Sequence, residues 1–109
     1  MTRRLIGNTE VLAEMLQDPQ FRAEWERMAL ARAVAEAVIR YRAEHGLSQA
    51  ALAGLLGWRQ PVVARLEAAE HNPSMDTLLT LARALGLRVQ VDVSPKTGVV
   101  ARVTKSRAA

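Results

Sequence analysis

The stretch from Ser48 to Glu67, SQAALAGLLGWRQPVVARLE, admits few folds, because it reads as two short helices joined by a tight glycine turn. Ser48 is placed to cap the first helix by accepting a bond from a free backbone amide. Leu52, Ala53 and Leu56 recur on one face, and Gly57 ends the helix where a left-handed residue is easiest. A second helix starts near Gln60, with Pro61 in the first turn, where a missing amide proton does no harm. Val63 and Leu66, three apart, form its buried side and leave Gln60, Val62, Ala64 and Arg65 on the other. Two helices at a steep angle, the second presenting a glutamine and an arginine, have the shape and the chemistry to reach into a major groove.

On either side the chain is punctuated by caps. Met1 to Asn8 carries no period and is expected to fray. Thr9 caps a short helix through about Gln17, with Val11, Leu12, Met15 and Leu16 on one stripe. Asp18 followed by Pro19 is a strong restart signal, and Phe21, Trp25 and Met28 follow on one face. The stripe then rotates to Leu30, Val34, Ala37, Val38 and Tyr41, which predicts a break near Met28 and a second helix ending at His45 before Gly46. After Glu67, AAEHNPS is a loop, and Ser74 caps a helix over Met75 to Leu85 that Gly86 closes. From Leu87 the period becomes two, Leu87, Val89, Val91 and Val93 against Arg88, Gln90 and Asp92, which is a half-buried strand; SPKTG is a turn and GVVARV a returning strand. The expected organisation is therefore an N-terminal helical extension (residues 1–28), a helical domain (29–86), a C-terminal strand or hairpin (87–104) and a disordered basic tail (105–109).

Composition narrows the function. At 109 residues the chain has room for one small core and no elaborate catalytic cleft, and without cysteine it has no disulfide or thiolate site. No apolar run approaches a membrane span and no signal-peptide core is present, so a soluble, cytoplasmic protein is expected. Up to Gly46 seven Lys/Arg balance seven Asp/Glu, while beyond it eight face four, so the +4 net charge lies in the second half. A basic half attracts a phosphate backbone. His45 and His71 stand far apart with no carboxylate or cysteine at ligand spacing, and no nucleophile or phosphate-loop motif occurs; neither an enzyme, a metal nor a cofactor is expected.

GLSQAALAGLLG, QPVVARLE and HNPSMDTLLTLARALG together resemble the XRE (Cro/repressor-like) helix-turn-helix family over roughly Ile39 to Leu87. The resemblance implies a mainly α fold, a Cro/repressor-like bundle, here with an N-terminal helical extension and a C-terminal strand or hairpin. It implies base contacts from Gln60, Pro61 and Arg65 with Val62 close by, a phosphate contact and a brace to Gln60 from Gln49, and flanking phosphate contacts from Arg59 and Asn72. Glutamine bonds adenine bidentately, arginine bonds guanine O6 and N7, and valine meets a thymine methyl, which is the chemistry such a helix requires. Arg42 and Glu67 match a paired arginine and carboxylate that fix how the recognition helix is presented. Several positions depart from the pattern: Ala51 for the capping-box glutamate, Gly54 and Leu55 for a polar pair, Ala69 and Glu70 for a glycine and a basic residue. Ala69 puts the usual left-handed turn in doubt, and Leu55 is either a core residue or an exposed partner contact.

The segments DPQFRAEWERMALARAVAEAVIRYRAEHGLSQ and LRVQVDVSP look like HigA-type antitoxins, whose partners are RelE/HigB-like ribonuclease toxins. That resemblance implies neutralisation of a toxin and repression of the shared operon; the alternative is a stand-alone XRE-family transcriptional regulator without a toxin. Phe21, Trp25 and Met28 are then either toxin-contacting anchors or packing for the chain's own helices. The row of valines after Leu87 either pairs with a second copy, giving a homodimer on an inverted-repeat operator in double-stranded DNA, or folds back onto the last helix.

Overall fold

A computed structural model describes residues 2–107, with side chains described from Thr9 onward. Six helices precede a hairpin: α1 (Thr2–Met15), α2 (Pro19–Arg27), α3 (Ala29–His45), α4 (Gln49–Leu56), α5 (Gln60–Glu67), α6 (Met75–Leu85), β1 (Leu87–Ser94) and β2 (Gly98–Lys105). The capping signals act as the sequence predicts. Asp18 Oδ1 accepts from Gln20 N at 3.1 Å, Ser48 Oγ from Ala51 N at 3.0 Å and Ser74 Oγ from Thr77 N at 3.1 Å. Met28 (φ −95°, ψ 12°) separates α2 from α3 where the apolar stripe rotates.

Three expectations are corrected. The backbone is helical from Thr2, ahead of the expected start at Thr9, because an established helix extends backward by one hydrogen bond per residue without needing an apolar face. Ala69 does adopt the left-handed conformation, at φ 54°, so the turn after α5 keeps its shape at the cost of a Cβ clash that glycine would avoid. Thr104 and Lys105 close β2, with Lys105 Nζ 3.6 Å from Glu44 Oε1, and Ser106 N donates to Gly86 O at 2.7 Å, so the expected tail begins inside the fold; Ala108 and Ala109 lie outside the described residues.

The core lies between α3, α4, α5, α6 and the start of β1. Val34 and Val38, Leu52, Val63 and Leu81 are the largest fully buried side chains, with Ala37, Ala53, Leu56, Leu78, Leu85 and Leu87 around them. Leu30, Tyr41, Leu47, Trp58, Leu66, Val89 and Val103 close its rim. Leu55, whose sequence position left core and surface both open, is 60% exposed.

The hairpin pairs Leu87 with Lys105 through Ser94 with Gly98, in antiparallel register. Gly98, at φ 69°, ends the tight turn, and Ser94 Oγ accepts from Thr97 N at 3.0 Å. The hairpin does fold back, but chiefly through β2 onto α3 and α2, while β1 lies beside α6. Leu87, Val89 and Val103 are thereby covered, whereas Val91 and Val93 stay exposed. Among the described residues no helix is long and apolar enough to cross a membrane, and no cluster of side chains suits a metal ion.

Candidate nucleic-acid interface

The outward face of α5 is presented by burying the opposite one. Val63 is fully buried and Leu66 packs at the core rim, which turns Gln60, Pro61, Val62 and Arg65 to solvent. The turn before the helix is tied down from behind: Trp58 N donates to Ala53 O at 2.8 Å, and the Trp58 ring leans on the core. Arg59 occupies the cap position of α5 with extended backbone (φ −92°, ψ 151°) and makes no side-chain cap bond. In the first turn of α5 Pro61 has no amide hydrogen and Val62 N donates to Arg59 O at 3.0 Å, so the exposed Arg59 guanidinium is the group there that suits an anion.

Behind this face runs one continuous polar relay. Arg42 grips Glu67 bidentately, Nε to Oε2 at 2.6 Å and Nη2 to Oε1 at 2.8 Å, while Arg42 Nη1 donates to Leu47 O at 3.0 Å. Gln49 Nε2 donates to Glu67 Oε1 at 2.9 Å, and Gln60 Nε2 donates to Gln49 Oε1 at 2.7 Å. The direction of the relay is set by charge. An ionised carboxylate only accepts, so Gln49 must offer it the amide nitrogen and turn its own oxygen to Gln60, which must then offer nitrogen in turn. Gln60 is left with a free carbonyl oxygen and a second amide hydrogen, the pair of groups that an adenine edge takes.

The Glu67 side chain is only 7% exposed, so its charge survives through these bonds. The Arg42 hydrogen bonds hold its pKa below the ordinary carboxylate value, against the opposing push of burial and with help from Gln49. The Glu67 hydrogen bonds raise that of Arg42 in return. Arg42 and Glu67 thus link α3 to α5, and Gln49 adds α4 to the same brace.

Asn72 is placed differently from the flanking phosphate contact expected of it. Its Oδ1 accepts from Ala31 N at 3.0 Å and its Nδ2 donates to Arg27 O at 2.8 Å, so the side chain clamps the α2–α3 break to the loop that follows α5. No local signal in the sequence marks a bond to residues more than forty positions away.

The three anchors proposed for a partner lie together at the other end of that clamp. Phe21 and Trp25 stack with ring centroids 6.1 Å apart, and both, like Met28, are half-buried. The Arg32 guanidinium lies 3.6 Å over the Trp25 ring, and its Nη1 donates to Trp25 O at 2.6 Å. Burial lowers the pKa of Arg32, with Glu36 acting against that shift. One face of Trp25 is therefore committed to α3, an arrangement across a helix break that periodicity cannot reveal.

Comparison with known proteins agrees with this geometry. Residues 38–91, from within α3 to within β1, match the helix-turn-helix family model. The chain is 36% identical over 74 residues to antitoxin HigA1 from two strains of Mycobacterium tuberculosis, a match covering 68% of this chain and 50% of the relative. It is 37% identical over 59 residues to an uncharacterised HTH-type transcriptional regulator of Haemophilus influenzae, covering 54% of this chain and 60% of that protein. The match thus spans about half the length of the mycobacterial relatives. No solved structure matches significantly.

Proposed function

We propose that this chain, a DNA-binding regulator whose residues 38–91 form an XRE/Cro-like helix-turn-helix domain, is an antitoxin that neutralises a RelE/HigB-like ribonuclease toxin and represses its own operon. The relay from Arg42 through Glu67 and Gln49 to Gln60 is the observation that carries the DNA half of this reading. A surface glutamine held in one orientation by a buried charge is preorganised for a base edge, so less side-chain freedom is lost on binding. Gln60, Pro61, Val62 and Arg65 meet the bases in this reading, with Arg59 on phosphate. Gln49 acts mainly as the brace, and Asn72 is assigned to the clamp because both ends of its amide are engaged there.

The toxin half rests on the similarity to antitoxin HigA1 and on the half-exposed Phe21, Trp25 and Met28, which lie outside the DNA-reading unit. An inverted repeat takes two recognition helices and each chain supplies one, α5, so the active form is a homodimer in this reading. The likeness to an HTH-type transcriptional regulator supports a second reading, in which the chain regulates without a toxin.

Two experiments test these statements separately. Titration of the DNA upstream of the gene across a salt series should give log K falling linearly with log salt; salt-independent or undetectable binding would end the operator reading. Co-expression with the product of the adjacent reading frame should give a co-purifying complex and relief of growth arrest. Operator binding with neither effect would leave the stand-alone regulator as the function.

A further inference from the structure

The hairpin is covered unevenly by its own chain. β2 lies against α2 and α3, whereas β1 lies mainly beside α6 and has no neighbour on its outer edge in the two-stranded sheet. Next to that edge runs a groove lined by Met75, Leu78, Leu79, Ala82, Val89 and Val91. Met75 and Val93 are each 70% exposed, and Leu79 and Val91 each more than 40%. An unpaired strand edge beside exposed apolar side chains is a template for another strand.

The residues along β1 specify which strand. Arg88-Val89-Gln90-Val91-Asp92 is antisymmetric in charge about Gln90: reversed end for end, arginine falls on aspartate, valine on valine and glutamine on itself. An antiparallel twofold pairing centred on Gln90 therefore sets Arg88 opposite the partner's Asp92 and Val89 opposite the partner's Val91. Centring on Arg88 or on Asp92 would set like charges face to face, and centring on Val89 or Val91 would leave each charge opposite a neutral residue. Slipping by half a pair would oppose valines to polar residues. The cation closest in register on the face of these charges, Arg102, stands opposite Gln90 and only diagonal to Asp92. Across β2, Arg88 faces Thr104 and Asp92 faces Val100, and neither has an ion pair among the described residues.

We infer that the free edge of β1 is the docking surface for a second copy of this chain, in an antiparallel register centred on Gln90 that places two Arg88–Asp92 ion pairs about the twofold axis and joins the hairpins into one sheet. The inference rests on the homodimer reading above and adds the surface and the register. The Met75–Leu79 side of α6 then closes over the valines of the partner strand, which is why those side chains find no cover within one chain.

The test uses the full chain and reads mass against concentration by light scattering. Arg88→Asp and Asp92→Arg should each weaken the dimer at least about tenfold, and the double exchange should restore it to within about threefold of wild type. The chain contains no cysteine, so single-cysteine variants report the register directly. Gln90→Cys should form a symmetric disulfide under mild oxidation faster than Val91→Cys. A wild type that stays monomeric at all concentrations would overturn the homodimer reading together with this inference. A dimer insensitive to both charge reversals, or faster cross-linking through Val91→Cys, would overturn this inference alone.

Discussion

The helix-turn-helix half and the flanks of this molecule are built to different standards. From α3 to α6 the apolar side chains facing inward are almost dry, and the largely covered carboxylate among them, Glu67, has its charge matched and accepts three hydrogen bonds. In α2 and the outer hairpin the large side chains are half-covered or exposed. The ion pairs there are surface ones, such as Arg22 with Glu26 at 3.4 Å, with side chains 65% and 45% exposed. A surface pair of that kind contributes well under about 1 kcal/mol, whereas stranding one member of a buried pair costs several. The core beneath α3 to α6 is therefore finished within one chain, while the open apolar faces lie outside it, on the outer side of α6 as well as on the flanks.

Substitutions in the two regions should differ in their effects. The largest difference should come from truncating equivalent apolar side chains. Leu52→Ala, in the dry core, should cost about 4 kcal/mol in denaturant unfolding, while Val93→Ala, on the open end of β1, should change monomer stability by less than about 0.5 kcal/mol. Equal effects would erase the distinction.

Next comes the charge relay. Glu67→Ala should cost about 3 kcal/mol, toward the low end for a broken buried pair because Arg42 still reaches water. The effect has a defined pH dependence. The Glu67 carboxyl is depressed in the fold, so its contribution is complete above the unfolded value of about 4.3 and is lost as pH falls through the lower folded value. Stability curves of wild type and Glu67→Gln measured from neutral to acid pH should therefore converge below the ordinary carboxylate range.

The clamp between the two regions is worth less. Asn72→Ala leaves Ala31 N and Arg27 O without their partner, and because the site is partly wet the cost should be about 1–2 kcal/mol. Hydrogen exchange should then speed at the start of α3 more than in α5. The smallest effect has the opposite sign: Ala69→Gly relieves the left-handed backbone and should stabilise by about 0.5–1 kcal/mol, net of the extra freedom glycine gains unfolded. A loss there would show that the Ala69 conformation costs nothing.

Much of the architecture is legible along the chain because its signals are local. Asp18-Pro19, Ser48 and Ser74 start helices by satisfying amides two or three residues on, and the change of period at Leu87 follows from the pleat of a strand. The hairpin's existence was readable from the same period, but its docking on α3 was not, since a strand's pattern states that one face is covered and not by what. The same limit applies at the site. Arg42 and Glu67 were paired through family resemblance, and their geometry then gave direction to the two glutamines. Arg32 over Trp25 and Asn72 across the α2–α3 break are long-range choices with no periodic trace. The start of α1 is illegible for the converse reason, since a helix end without an apolar stripe leaves nothing to read.

In the proposed function α5, held by the relay, reads bases through its exposed face, and Arg65 is the side chain whose loss should show it. The measurement is competition between the operator and duplexes altered one base pair at a time, for wild type and Arg65→Ala. The variant should lose about 1–3 kcal/mol of discrimination at a single base position and keep its preferences elsewhere. Unchanged discrimination at every position, with the variant folded as wild type, would contradict base reading by α5.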